Sequence, residues 1–223
     1  RDQFGFDDMP AAIGNPWGNI NTTRVGAGLQ WQATRQWQVF GGGQVQWAAE
    51  QGASASDSLE GGGAIGAAYA FSRDLILGGG IGIRTRLEDG LLFYPIIVLD
   101  WNITEKLSLS TRLTTGWANR SGAELVYALE EDIDVGVAAV FDYSRFRLND
   151  DGPAIRQGGV GTVEALPLTA FVSMDITSQM SLTAYVGATV YGRLKVTDSG
   201  GSDVWASDQN PAPVLGLQGT IRF

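Results

Sequence analysis

The sequence predicts an all-β fold: a closed antiparallel barrel of about twelve strands crossing a bacterial outer membrane. Three observations lead there. Apolar residues alternate with polar or small ones along strand-length segments, breaks between segments alternate short and long, and aromatic residues gather near both ends of the segments. At the end of the chain Ile221, Gly219, Leu217 and Leu215 alternate with Thr220, Gln218 and Gly216. A strand between lipid and a lumen requires that period of two.

Taken in order, the first strand is assigned to residues 1–8, with 9–19 as its loop. An even strand number with both termini in the periplasm demands an outward strand before the short break at 33–36. Strands 22–33 and 37–48 follow, with Val25, Ala27, Leu29, Trp31, Trp37, Val39, Val45 and Trp47 on the apolar parity and Arg24, Gln30, Gln44 and Gln46 on the other. Strands 59–71 and 75–87 keep that parity through Ile65, Tyr69, Leu77 and Ile81. The remaining strands are 91–103, 107–117, 122–129, 133–147, 160–176, 180–194 and 213–223, and the count falls to ten if 122–129 or the N-terminal piece does not pair. Long breaks at 49–58, 149–159 and 197–211 read as external loops and short ones as periplasmic turns. Trp31, Trp37, Tyr69, Phe71, Trp101 and Tyr127 sit at the turn end, and Trp47, Phe93, Trp117, Phe141 and Tyr143 at the loop end. Two belts a strand length apart suit two membrane interfaces, whereas a soluble barrel would carry its large aromatics mid-strand in a core. The segments 101–109 and 174–182 echo one another, with preceding prolines offset by one residue; a bulge near Glu164 would account for the offset.

Composition narrows the function. One domain of 223 residues with 44% apolar content has no run of about 18 uncharged apolar residues that a spanning helix needs. A net charge of −9 disfavours a nucleic-acid groove. Its acidic residues fall in predicted turns and loops, where solvation explains them better than divalent-ion binding; the stretch from Asp198 to Asp203 lacks the ligand spacing and closing Glu of an EF-hand loop. With no His and no Cys, the chain lacks the imidazole of a hydrolytic triad, and its acid pairs Glu130/Glu131 and Asp150/Asp151 diverge on extended chain. The expectation is a protein that is not an enzyme and takes no cofactor and no metal.

Two constellations are candidates for a site. The lumen parity carries Arg24, Glu60, Arg84, Arg86, Asp100, Arg112, Glu124, Asp134 and Asp142. Arg84, Arg86 and Arg112 set against Glu60 and Asp100 predict either a charged constriction or an internal ion-pair network bracing the barrel. Glycine runs on three consecutive strands place Gly41, Gly43, Gly61, Gly63 and Gly79 toward lipid, and Gly42, Gly62, Gly78, Gly80 and Gly82 toward the lumen. The outward set predicts a contact face for lipid, a partner or an inserted segment; curvature of a small barrel is the plainer explanation. Tyr94, Ile96 and Val98 put apolar bulk inward opposite the glycine wall, which leaves a narrow off-centre pore and an occupied interior both open.

Pro95, the run Trp101-Asn-Ile-Thr104, Tyr127-Ala-Leu129, Phe146-Arg-Leu148 and the terminal Ile221-Arg-Phe223 resemble uncharacterised bacterial outer-membrane β-barrels known only as a domain of unknown function. The terminal Phe also resembles the signature such barrels present to their insertion machinery. The resemblance implies a fold and a location without an activity. From the residues, the favoured function is a narrow passive channel for small hydrophilic solutes. The rival is a structural or assembly barrel that anchors an envelope complex through its glycine face or loops, with outer-membrane lipid and a protein partner or oligomer as its contacts.

Overall fold

The computed structural model describes residues 14–88, 90–111 and 121–221. Among these the fold is all-β, with no α-helix and one 3-10 turn at Ser56–Ser58. The strands are β1 (Ile20–Gln32), β2 (Trp37–Glu50), β3 (Leu59–Ala70), β4 (Leu75–Thr85), β5 (Leu91–Asn102), β6 (Leu107–Ser110), β7 (Ser121–Ala128), β8 (Ile133–Arg147), β9 (Val160–Thr177), β10 (Met180–Thr197), β11 (Asp203–Gln209) and β12 (Ala212–Ile221). Each pairs antiparallel with the next as far as β11. A parallel bridge between Ala49 and Arg147 joins β2 to β8, so β2 through β8 form a closed seven-strand barrel, with five strands outside it.

The twelve segments are not the twelve strands expected. β11 and β12 both bond β10 and divide one path at Asn210 and Pro211, so the break expected at 197–211 holds a strand. The expected strand 1–8, Trp117, Arg112 and the terminal Phe lie outside the described residues. Among the described residues β1 bonds only β2, and β12 bonds only β10.

The alternation sorts the sheet as predicted for most of its length. Leu29, Ile65, Ile81, Phe93, Ile97 and Val137 face outward and are exposed, as do Leu215 and Leu217 on β12. Trp31 is 62% exposed and Trp101 42%, so neither lies in a protein core. On β9 the outward row is even, through Leu168, Val172, Met174 and Ile176. That switch is made in the loop before β9, not at Glu164: the β8–β9 register runs unbroken from Arg147↔Val160 to Ile133↔Met174. The bulge lies on β10 at Val190, where Thr189↔Pro167 gives way to Tyr191↔Leu166, and it turns Leu194 and Val196 inward.

The inner face departs from a polar lumen. Five of its aromatic rings stand directly across a strand pair from a glycine and cover it: Phe40 on Gly66, Tyr94 on Gly82, Phe146 on Gly161, Phe171 on Gly136 and Tyr185 on Gly216. A ring laid over a bare backbone gains contact area and shields the strand's hydrogen bonds, so each pair pins a register. Tyr94 therefore lies on the neighbouring strand β4 rather than against a distant wall.

Candidate functional site

At the loop end β8 has its two faces in different surroundings. Phe146, and Leu148 just past the end of the strand, pack with Trp17, Ile20, Ala48, Leu194 and Val196 in an apolar cluster, Leu148 and Val196 having no exposed surface. The ring of Trp17 meets that of Phe146 edge-on at 5.1 Å. The odd residues of β8 face the seven-strand ring: Arg145 forms a salt bridge with Glu88, and Tyr143 lies under the Arg84 guanidinium at 4.7 Å. Tyr143 was expected in the outer aromatic belt. It is drawn inside because the end of β8 reaches β2, covering both of its faces.

Three buried charged side chains tie the long loops across this end. Glu50 accepts hydrogen bonds from Gly18 N–H at 2.6 Å through Oε1, and from Asn149 N–H at 2.9 Å and Arg156 Nη1 at 3.2 Å through Oε2. Arg147 donates to the carbonyl oxygens of Asp57 at 2.9 Å and Gly158 at 2.8 Å, and to that of Leu87. A guanidinium spreads five donors in a plane, which lets one side chain hold three loops at once. The result is a lid: an apolar plug against β1, β8 and β10, with an ionic seam over it.

Beneath the lid lies the charged cluster that the sequence pointed to, in part. Glu60 and Arg84 line one small cavity of about 40 Å³ with Arg24, Gln46, Tyr143 and Arg145. Glu60 is 6% exposed, and its Oε1 accepts no hydrogen bond among the described residues. Arg24 donates through Nε to Gln46 Oε1 at 2.8 Å. The other predicted members are elsewhere. Arg86 stands past the end of β4, exposed, in the turn closed by its N–H to Gly90 O at 3.0 Å. Asp100 pairs with Ile76 while Arg84 pairs with Leu92, a separation of roughly 27 Å at about 3.4 Å per residue.

The glycines divide by face. A Cβ added to inward Gly42 would meet Ala27 O at 2.7 Å and Gly28 Cα at 3.0 Å, and one on inward Gly62 would meet Ile83 O at 2.9 Å. On the outward face a Cβ at Gly61 would meet only Val45 Cγ1 at 4.0 Å, and one at Gly43 only Gly62 O at 3.4 Å. Gly41 and Gly79 leave 3.3 Å, and Gly63, the tightest of the outward set, 3.0 Å. Curling the sheet inward drives concave-face Cβ atoms together, so inward glycines answer to curvature and most outward ones do not.

Below the charged cluster opens a cavity of about 680 Å³ bounded by Gly28, Phe40, Gly42, Ala64, Tyr94 and Ile96. Sequence reasoning missed Glu50, Arg145, Arg147 and Arg156. A signal was available: Arg145 and Arg147 are charges on the parity otherwise assigned to lipid, next to a long loop. Among the described residues no group of three or more acidic, His or Cys side chains could hold a metal ion. No protein-family model, no curated protein and no solved structure matches this chain.

Proposed function

We propose that the chain is an integral, non-enzymatic β-barrel of the bacterial outer membrane. In this reading the lumen is shut at the loop end. Such a barrel serves as an envelope anchor rather than as a standing passive channel. The lid carries the reading: a plug with Leu148 and Val196 fully buried, under loops tied by Glu50 and Arg147, favours a closed loop end. Membrane residence is supported by the outward apolar row, since Leu29 at 75% exposure and Leu215 at 77% would be costly in water across so wide a surface. The resemblance of the second half to uncharacterised outer-membrane barrels belongs to the same proposal.

The channel keeps one specific observation in its favour: the cavity of about 680 Å³ below the lid. Planar-bilayer recording separates the two. The anchor reading expects a silent wild type and conducting steps once Glu50→Ala and Arg147→Ala are combined. Stable conductance by the wild type would overturn it. Residence itself is tested by sedimentation with outer membranes and by heat-modifiable gel mobility; a chain that stays in the soluble fraction without a mobility shift is not this barrel.

A further inference from the structure

The cavity beneath the charged cluster is built like a binding site. Its walls are bare glycine backbone on β1, β2 and β3, with Ala64, faced by the rings of Phe40 and Tyr94 and by Ile96. Its upper end shares Gln44 and Gly62 with the small polar cavity that holds Arg24, Gln46, Glu60 and Arg84. An apolar well of this size, ending on a few convergent polar groups, is the usual anatomy of a small-ligand site. Along β1 the well runs from Gly26 to Gln30, roughly 14 Å at about 3.4 Å per residue, with Arg24 at the next inward position beyond it.

The charge at its polar end selects the ligand. Arg145 is neutralised by Glu88, and Glu60 offsets one of the two remaining guanidiniums. Among the described residues Arg24 donates only to the neutral Gln46 oxygen, and neither it nor Arg84 makes a salt bridge. Among the described residues one positive charge is left over at the head of an apolar well. We infer that the cavity takes a single-chain anionic amphiphile, a fatty acid, with its carboxylate on Arg24 and its hydrocarbon along the glycine wall under Phe40 and Tyr94. This rests on the membrane-barrel reading, because the surrounding lipid supplies the ligand.

The test uses full-length protein trapped in amphipol, titrated with fluorescent cis-parinaric acid and with its methyl ester. One saturable site for the acid is expected. Gly28→Leu has room for its Cβ, whose nearest neighbour is Gly41 O at 3.6 Å, and its side chain fills the well. It should weaken acid and ester alike, by about tenfold. Arg24→Gln should weaken the acid by about tenfold and leave the ester unchanged, since only the carboxylate uses the guanidinium. Heat-modifiable mobility confirms that each variant folds. Absent saturation with folded wild type, or binding indifferent to both substitutions, overturns the inference. So does saturation that appears only after residues 1–8 are removed, which would give the cavity to that segment. If the protein fails to sediment with membranes, the barrel reading falls and the inference with it; failure of binding alone leaves the barrel standing.

Discussion

Glu50 and Arg147 show what a single side chain contributes when it is buried and fully used. Glu50→Ala removes the acceptor for two backbone N–H groups and leaves Arg156, 10% exposed at its side chain, without its carboxylate. Stranding a buried charge costs about 3 kcal/mol. The expected outcome is a lid that opens at lower denaturant, read as protease cleavage within 149–159 while the strands stay folded. The glycines give a second prediction at this scale. Gly42→Ala forces a methyl against the Ala27 carbonyl and should cost about 1–3 kcal/mol, whereas Gly61→Ala meets nothing closer than 4.0 Å and should be neutral or slightly stabilising. Urea midpoints of the refolded variants check the pair. Gly61→Leu tests the contact face separately: unchanged folding with reduced native mass would support an interface there, and unchanged mass would remove it.

At the level of elements, three of the five short turns share one device. Thr34 Oγ1 accepts from Trp37 N–H at 2.9 Å, Thr104 Oγ1 from Leu107 N–H at 3.0 Å and Thr177 Oγ1 from Met180 N–H at 3.1 Å. A hydroxyl that caps its own turn fixes where one strand stops and the next begins. The echo between 101–109 and 174–182 thus has a physical basis in turn chemistry, with the same Thr doing the same work in each. Thr104→Val keeps the shape and deletes the acceptor, so it should cost about 1 kcal/mol and raise amide exchange at Leu107. Strand positions were legible in the sequence because alternation and these turns act locally: β5 and β8 lie within a residue of their expected limits. β11 was not legible. Asp203–Gln209 is rich in Asp and Ser and carries no outward apolar row, and it is a strand because β10 runs past Val190 and offers it an edge, with Lys195 bridging to Asp203 at 2.7 Å. Half of the charged site escaped for a related reason. Parity assigns faces only where a strand keeps one face exposed, and the end of β8 has both faces covered, so Tyr143, Arg145 and Arg147 could not be placed by counting.

For the whole molecule, the bridge from β2 to β8 has a consequence in time. Nearly every other contact between strands joins neighbours in the chain, and such hairpins zip quickly because little loop entropy opposes them. Glu50 and Asn149 are 99 residues apart, with six strand-to-strand connections between them. Refolding should therefore show a fast phase that builds strand signal and a slow final phase that quenches Trp17 as the plug forms around it. Glu50→Ala should slow the late phase and leave the early one unchanged. A single phase for both signals would mean that the ends find one another before the sheet between them exists. The lid is then a clock as well as a seal: chains that carry it are those that have finished folding, and a loop-directed protease would tell finished barrels from unfinished ones.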